Sequence, residues 1–297
     1  MKLISTFFIA ITHSTKYKLI MIFYFSCTGN TRWAAHKIAE ATGDTLIDIA
    51  AELRKADEED ATDKKRTFSY TLSADESLAF CFPVHGWRPP LAVRNFIRRL
   101  RICKTTDNYC YAVCTAGDTV GEAMDIFEAD LAAVGIKTDS CISLLMPESY
   151  VGLPFMDVDK AEAERRKKTE ADRRLQDFIA DIKCHKAGIH DITAGRWPRI
   201  NSRLIGEAFT KWIIGDRPFR VDAEKCIKCG KCAAVCPVGD ISFVKGYTPQ
   251  WKHNGKCLSC FACYHHCPTR AIEYGGRTKG KGQYYYEKNE KTIISKA

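Results

Sequence analysis

No apolar stretch of this 297-residue chain is long enough to cross a bilayer: the run from Leu3 to Ile11 is nine residues, and a span needs about twenty. No Ala-x-Ala site follows that run, so it does not read as a secretory signal, and residues 1–18 are expected to be an extension ahead of a domain starting near Met21. No Gly-x-Gly-x-x-Gly turn follows a strand, which leaves direct binding of a nicotinamide dinucleotide without support. The lysines and arginines give a formal net charge of +9 but form no recognised nucleic-acid motif, so no nucleic-acid partner is expected. Seven of the 15 cysteines (Cys27, Cys81, Cys103, Cys110, Cys114, Cys141 and Cys184) lack paired spacing and mostly lie in apolar surroundings. They read as reduced, buried thiols of a cytoplasmic protein, not as a disulfide framework.

The other eight cysteines are spaced twice as Cys-x2-Cys-x2-Cys-x3-Cys-Pro. One copy is Cys226, Cys229, Cys232, Cys236 and Pro237; the other is Cys257, Cys260, Cys263, Cys267 and Pro268, at an offset of 31 that also returns Ile241 as Ile272. Thiolates at i, i+3 and i+6 wrap one corner of an iron-sulfur cube, and so short a loop does not reach the fourth iron. In the bacterial two-cluster pattern the last cysteine, just before a helix-breaking proline, ligates the other cluster. That assigns Cys226, Cys229, Cys232 and Cys267 to one [4Fe–4S] cluster and Cys257, Cys260, Cys263 and Cys236 to the second. Zinc sites close with paired knuckles, not triplets. On these motifs, residues 219–275 resemble a bacterial-type two-cluster ferredoxin.

The chain before that segment alternates apolar runs with helical periodicity. Leu19 to Ser26 is continuously apolar, as in a parallel strand buried on both faces, and it stops at Ser26-Cys27-Thr28-Gly29-Asn30-Thr31 ahead of a helix. Backbone N–H groups and the hydroxyls of Ser26, Thr28 and Thr31 at such a helix start suit a phosphate, although an ordinary helix cap has the same local spacing. Further strands are expected over 45–49, 78–84, 108–115 and 141–146. Residues 51–67 are charged and read as a surface excursion. A doubly wound parallel sheet follows, with ligands bound outside the carboxyl ends of its strands.

Over residues 19–185 this pattern resembles the flavodoxins, whose strand order would be 2-1-3-4-5. The stretch Ser26, Cys27, Thr28, Gly29, Asn30 and Thr31 is similar to their FMN phosphate loop, with serine where threonine is usual at the first position. The resemblance implies that Pro83, Val84, His85, Gly86 and Trp87, with Thr115, Ala116, Gly117 and Asp118, flank the isoalloxazine ring. Trp87 is the candidate for stacking on the flavin or, alternatively, packs on the neighbouring prolines. His85 either hydrogen-bonds the flavin or faces solvent. Cys27 reads as a small inert thiol more than a redox-active one.

Residues 186–218 form a connector whose apolar stripe, Trp197, Ile200, Leu204, Ile205, Phe209, Trp212 and Ile213, reads as an interdomain helix, with a membrane surface as the alternative. Residues 276–297 are a basic tail expected to be partly ordered and to fold back on the protein. Two cluster cores and eight thiolates contribute about −4, and a flavin phosphate about −2, so the formal charge of +9 falls to about +3. A moderately acidic protein partner or an anionic substrate suits that mildly basic surface.

The combination resembles the flavodoxin and ferredoxin fusion proteins of anaerobic bacteria. It implies FMN and two [4Fe–4S] clusters in an electron-transfer oxidoreductase served by a redox protein partner. The alternative is a flavoenzyme that reduces a small-molecule acceptor at FMN. The sequence assigns no catalytic acid or base and shows no output module for a redox sensor.

Overall fold

The computed structural model describes residues 21–59, 66–74, 76–104 and 107–288; the expected extension 1–18 and the end of the tail, 289–297, lie outside the described residues. The chain opens with β1 (Met21–Tyr24), α1 (Asn30–Thr42), β2 (Thr45–Asp48), α2 (Ile49–Glu59), β3 (Phe68–Leu72) and β4 (Leu78–Pro83). It continues with α3 (Leu91–Arg99), β5 (Leu100–Lys104), β6 (Cys110–Ala116), α4 (Ala123–Ala132), β7 (Ser140–Leu145), α5 (Ala161–Lys183) and β8 (Ile189–Asp191). The main sheet is parallel, in the order β2-β1-β4-β6-β7-β8. Its first five strands follow the flavodoxin-like order 2-1-3-4-5, and β8 adds a sixth at the edge.

The three central strands are apolar along their length because helices cover both faces. Phe23, Phe80, Phe82, Phe96 and Phe127 fill one side; Ile22, Ile38, Val113, Leu144, Leu175 and Phe178 fill the other. The stretch read as a surface excursion is in part the helix α2, which carries the chain back between parallel strands. Its buried face is only Ile49, Ala50 and Ala56, too small a signal against the surrounding charge. A separate parallel pair, β3 with β5, was not legible in the sequence either.

The connector winds as π-helical turns Ile200–Ile205 and Phe209–Ile213 on either side of α6 (Gly206–Ala208). The expected apolar stripe is not its packed face. Trp197, Leu204 and Trp212 are exposed, whereas Ser202 and Gly206 are buried. Close approach decides this: a Cβ at Gly206 would collide with the carbonyl of Gly86, and one at Gly121 with the hydroxyl of Ser202. Backbones this near admit only small residues, so most of the large ones are turned outward; Phe209, packed against Gly86 and Tyr150, is the exception.

Beyond the connector come β9 (Phe219–Val221), α7 (Lys231–Ala234), β10 (Ile241–Ser242), β11 (Gln250–Trp251), α8 (Ala262–His265) and β12 (Ile272–Tyr274). β9 pairs antiparallel with β12, and β10 with β11. The sequence duplication is also a backbone duplication. Left-handed residues Lys228, Gly230 and Gly239 recur as Ser259, Phe261 and Arg270. Among the described residues no helix is long and apolar enough to cross a membrane.

Candidate functional site

Strand order brings three loops together at the carboxyl ends of β1, β4 and β6. Thr31 Oγ1 and Thr115 Oγ1 are 2.7 Å apart, Val84 N donates to Thr115 O at 2.8 Å, and Cys27 Sγ lies 3.9 Å from His85 Nε2. All three stretches expected at the site therefore converge.

In the first loop, Gly29 has φ 99°, a conformation that favours glycine, and α1 starts immediately after it. The N–H groups of Thr28, Gly29, Asn30 and Thr31 donate to no group among the described residues. The Ser26 hydroxyl is buried without a partner. Unused donors at the start of a 13-residue helix fit a phosphate. Thr28 and Thr31 are less free, since Thr28 Oγ1 donates to Ser149 Oγ at 3.4 Å and Thr31 is paired as described. Asn30 Nδ2 donates to Pro147 O at 3.1 Å.

The second loop is a tight turn. His85 N donates to Arg88 O at 2.9 Å, and Gly86 and Trp87 both have positive φ, 56° and 58°, the geometry of a type I′ turn. Trp87 Nε1 donates to Thr119 Oγ1 at 3.3 Å, and the Trp87 carbonyl accepts from Ser202 Oγ at 2.9 Å. His85 is half-buried. Burial pushes its pKa down to about 4, so the ring is neutral near pH 7, and its Nδ1 is buried without a partner. An orphan ring nitrogen beside unused loop donors fits a flavin or another polar heterocycle.

In the third loop Met146 N donates to Ala116 O at 2.7 Å, and Lys167 Nζ donates to Gly117 O at 2.7 Å; Asp118 is exposed. Glu148, which sequence reasoning missed, presses its carboxylate on Gly117, and burial raises its pKa. Nothing in the local spacing of Glu148 points to this role.

Cys226, Cys229, Cys232 and Cys267 line one cavity with Ile227 and Lys228. Burial pushes the Cys232 thiol up to about 11. Cys257, Cys260, Cys263 and Cys236 share the second neighbourhood: burial is the main reason the Cys257 and Cys263 thiols resist ionisation, and the sulfurs of Cys260 and Cys236 add to it. Asp240 N donates to Cys236 Sγ at 3.3 Å and Ala271 N to Cys267 Sγ at 3.2 Å, again 31 positions apart. Soft, convergent sulfurs with backbone donors fit iron-sulfur clusters, whose binding would supply the deprotonation that burial opposes.

The second group touches the sheet domain. Cys27 and Cys260 pack against the same core, and their mutual interaction raises the Cys27 thiol and lowers that of Cys260. Phe261 and Phe209 both meet the Tyr150 ring edge-on, at 5.3 and 5.4 Å, and Arg54 Nη1 of α2 donates to Pro237 O at 3.0 Å. Tyr284, Tyr285 and Tyr286 of the tail fold back over the first loop and α8. The triple tyrosine was the only sequence signal for this.

Residues 219–288 match the family described as the 4Fe–4S dicluster domain. An uncharacterized ferredoxin of Methanocaldococcus jannaschii is 42% identical over 60 residues, 18% of this chain and 70% of that protein. The iron-sulfur subunit of L-aspartate semialdehyde sulfurtransferase from Methanosarcina acetivorans is 38% identical over 55 residues, 18% of this chain and 42% of that subunit. Among solved structures, a flavoprotein in complex with FMN from Lactobacillus acidophilus covers 42% of this chain and 93% of its own, at 14% identity and a TM-score of 0.28. The fold of the first domain rests on strand order and connectivity, not on that likeness.

Proposed function

This chain belongs to the 4Fe–4S dicluster ferredoxins, with a flavodoxin-like domain fused ahead of that module, and we propose that it is an electron-transfer oxidoreductase. On this reading it passes low-potential electrons between a protein partner, two [4Fe–4S] clusters and FMN. Residues 19–185 hold the flavin, 186–218 connect, 219–275 hold the clusters, and 276–297 form the tail. The observation that carries the proposal is the packing of the second cluster loop on the sheet domain, where Phe261 meets the Tyr150 ring at 5.3 Å, Arg54 Nη1 donates to Pro237 O at 3.0 Å, and Cys260 shares a core with Cys27 of the phosphate loop.

When bound, FMN would supply a centre that exchanges one or two electrons, and each cluster one that exchanges a single electron. The N–H groups of Thr28 to Thr31 and the Ser26 hydroxyl hold the phosphate. Neutral His85 would offer its buried Nδ1 to the ring. Cys267 and Cys236 cross between the halves, so each half completes the other's site.

The first cluster loop faces outward. Ile227, Val244 and Tyr247 are more than 60% exposed. Lys225, Lys228, Lys231 and Lys245 surround them, and this apolar patch with a basic rim fits a redox protein with an acidic docking face.

An anaerobic reductive titration, with iron and FMN quantified beforehand, tests the reading. About eight irons and one FMN per chain, reducing in equilibrium with one another, are expected. Eight irons without FMN would overturn it. Steady turnover of a small acceptor without any partner protein would favour the flavoenzyme alternative.

A further inference from the structure

We infer that the tail segment 283–287 is the outer wall of the flavin-phosphate site, so that FMN is retained only while the second half of the ferredoxin module is folded around its clusters. This rests on the reading of the first loop as a phosphate site.

The segment runs between the two domains and ends in a turn closed by Lys288 N donating to Tyr285 O at 2.9 Å, and its side chains go alternately to one domain and the other. Tyr284 and Tyr286 turn to the sheet domain. Tyr284 Oη donates to Asn30 Oδ1 at 2.6 Å. Tyr286 N donates to Thr28 O at 2.8 Å, its ring stacks on Trp33 at 5.4 Å, and its Cβ lies 2.9 Å from where a Cβ on Gly29 would stand. Gln283 and Tyr285 turn to the ferredoxin module. Gln283 Nε2 donates to Tyr264 O at 2.7 Å and Cys267 O at 2.9 Å, and Tyr285 stacks on His266 at 4.2 Å.

These contacts of the strap with Thr28, Gly29 and Asn30 use a carbonyl, a bare Cα and a side-chain oxygen. The loop N–H groups stay available to an anion. Two cations stand at the same edge: Lys168 Nζ donates to Tyr286 O at 3.0 Å, and Arg32 pairs with Glu287 at 2.6 Å.

One histidine joins the strap to the cluster. His265 lies on α8 between the ligands Cys263 and Cys267. Its Nδ1 accepts from Tyr284 N at 3.1 Å, and its Nε2 donates to Ser149 O at 2.7 Å. Ser149 Oγ in turn accepts from Thr28 Oγ1. A circuit of hydrogen bonds thus runs from the phosphate loop through Ser149, His265 and Tyr284 back to Asn30. Helix α8 is four residues long, too short to persist unless its cysteines are anchored. Loss of the clusters would release α8, then the strap, then the loop. By linkage, clusters and FMN stabilise one another's binding.

The test measures FMN and riboflavin dissociation constants by flavin fluorescence under anaerobic conditions, using full-length protein with clusters loaded or stripped by an iron chelator. For loaded wild type, FMN should bind well and stripping should weaken it by about tenfold or more. Tyr284→Phe, which removes one hydroxyl, should weaken FMN about fivefold and Tyr286→Ala more, with bound iron retained and riboflavin affinity little changed. Stripping should weaken FMN less in Tyr286→Ala than in wild type. Unchanged FMN affinity in Tyr284→Phe, or in stripped wild type, overturns the strap and leaves the flavin reading standing. Failure of loaded wild type to bind FMN overturns both.

Discussion

In the first cysteine loop Ile227 is 62% exposed and Cys229 faces solvent; 31 positions later Leu258 is 5% exposed and Cys260 is held against Cys27 of the neighbouring domain. The ligand spacing is the same, and so is the left-handed turn before each short helix. That turn is made by Gly230 in the first loop and by Phe261 in the second. A buried phenylalanine at a left-handed position costs about 1–3 kcal/mol in strain. It persists because its ring is locked among Tyr150, Phe219 and Tyr274. Duplication supplied two equivalent cluster loops, and docking on the sheet domain made one inward and left the other outward.

Replacing one ligand in each loop breaks this comparison most sharply. Cys229→Ser and Cys260→Ser each remove one ligand, so each is expected to take bound iron from about eight toward about four per chain. Only Cys260→Ser should also release flavin and lower the thermal midpoint, by about 5–10 °C, because its loop is packed on the carboxyl ends of the sheet. Iron and flavin counts alongside anaerobic melting curves check this. Equal flavin loss in both variants would show that the loops do not differ in function.

The left-handed residues sharpen it next. Phe261→Ala removes a fully buried ring and should destabilise the holoprotein by about 3–5 kcal/mol. Gly230→Ala meets a left-handed penalty of about 1–2 kcal/mol and crowds Phe243, whose Cδ1 lies 2.6 Å from the added Cβ. Denaturant midpoints measured without oxygen should therefore fall further for Phe261→Ala. The reverse order would mean that crowding and left-handed strain introduced at Gly230 cost more than the packing of the Phe261 ring.

How much of this was legible followed the range of the interactions. Ligand triplets and the Ser26 to Thr31 loop are local signals, and the continuous apolar runs at β4, β6 and β7 declared a parallel sheet. Helix α2 was hidden because Ala50 and Ala56 bury little surface among charges. The connector misled because most of its large apolar residues face outward, a consequence of Gly206 and Ser202 meeting Gly86 and Gly121, which no periodicity reveals. The strap was invisible beyond its tyrosines: Tyr284 and Asn30 are 254 residues apart, and their bond exists only once both domains are folded.

Equivalent lysines give the finest comparison. Lys225 of the first repeat pairs with Asp222 inside its own module, whereas Lys256, its counterpart, reaches Asp57 on α2 at 2.5 Å. Both partners of the second pair are more than 40% exposed, so Lys256→Gln should change stability by no more than about 1 kcal/mol and leave partner binding unaltered. Lys228 and Lys245 form no ion pair among the described residues and stand beside the exposed Ile227 and Val244. Reversing both, as Lys228→Glu with Lys245→Glu, should slow association with an acidic redox protein about tenfold at low ionic strength. The difference should shrink in about 0.5 M salt, where screening acts over a few ångströms. Stopped-flow rates across a salt series distinguish the two loops: a salt-dependent loss for the first-loop variant and none for Lys256→Gln places the outward docking face at the first cluster, and equal losses would remove it.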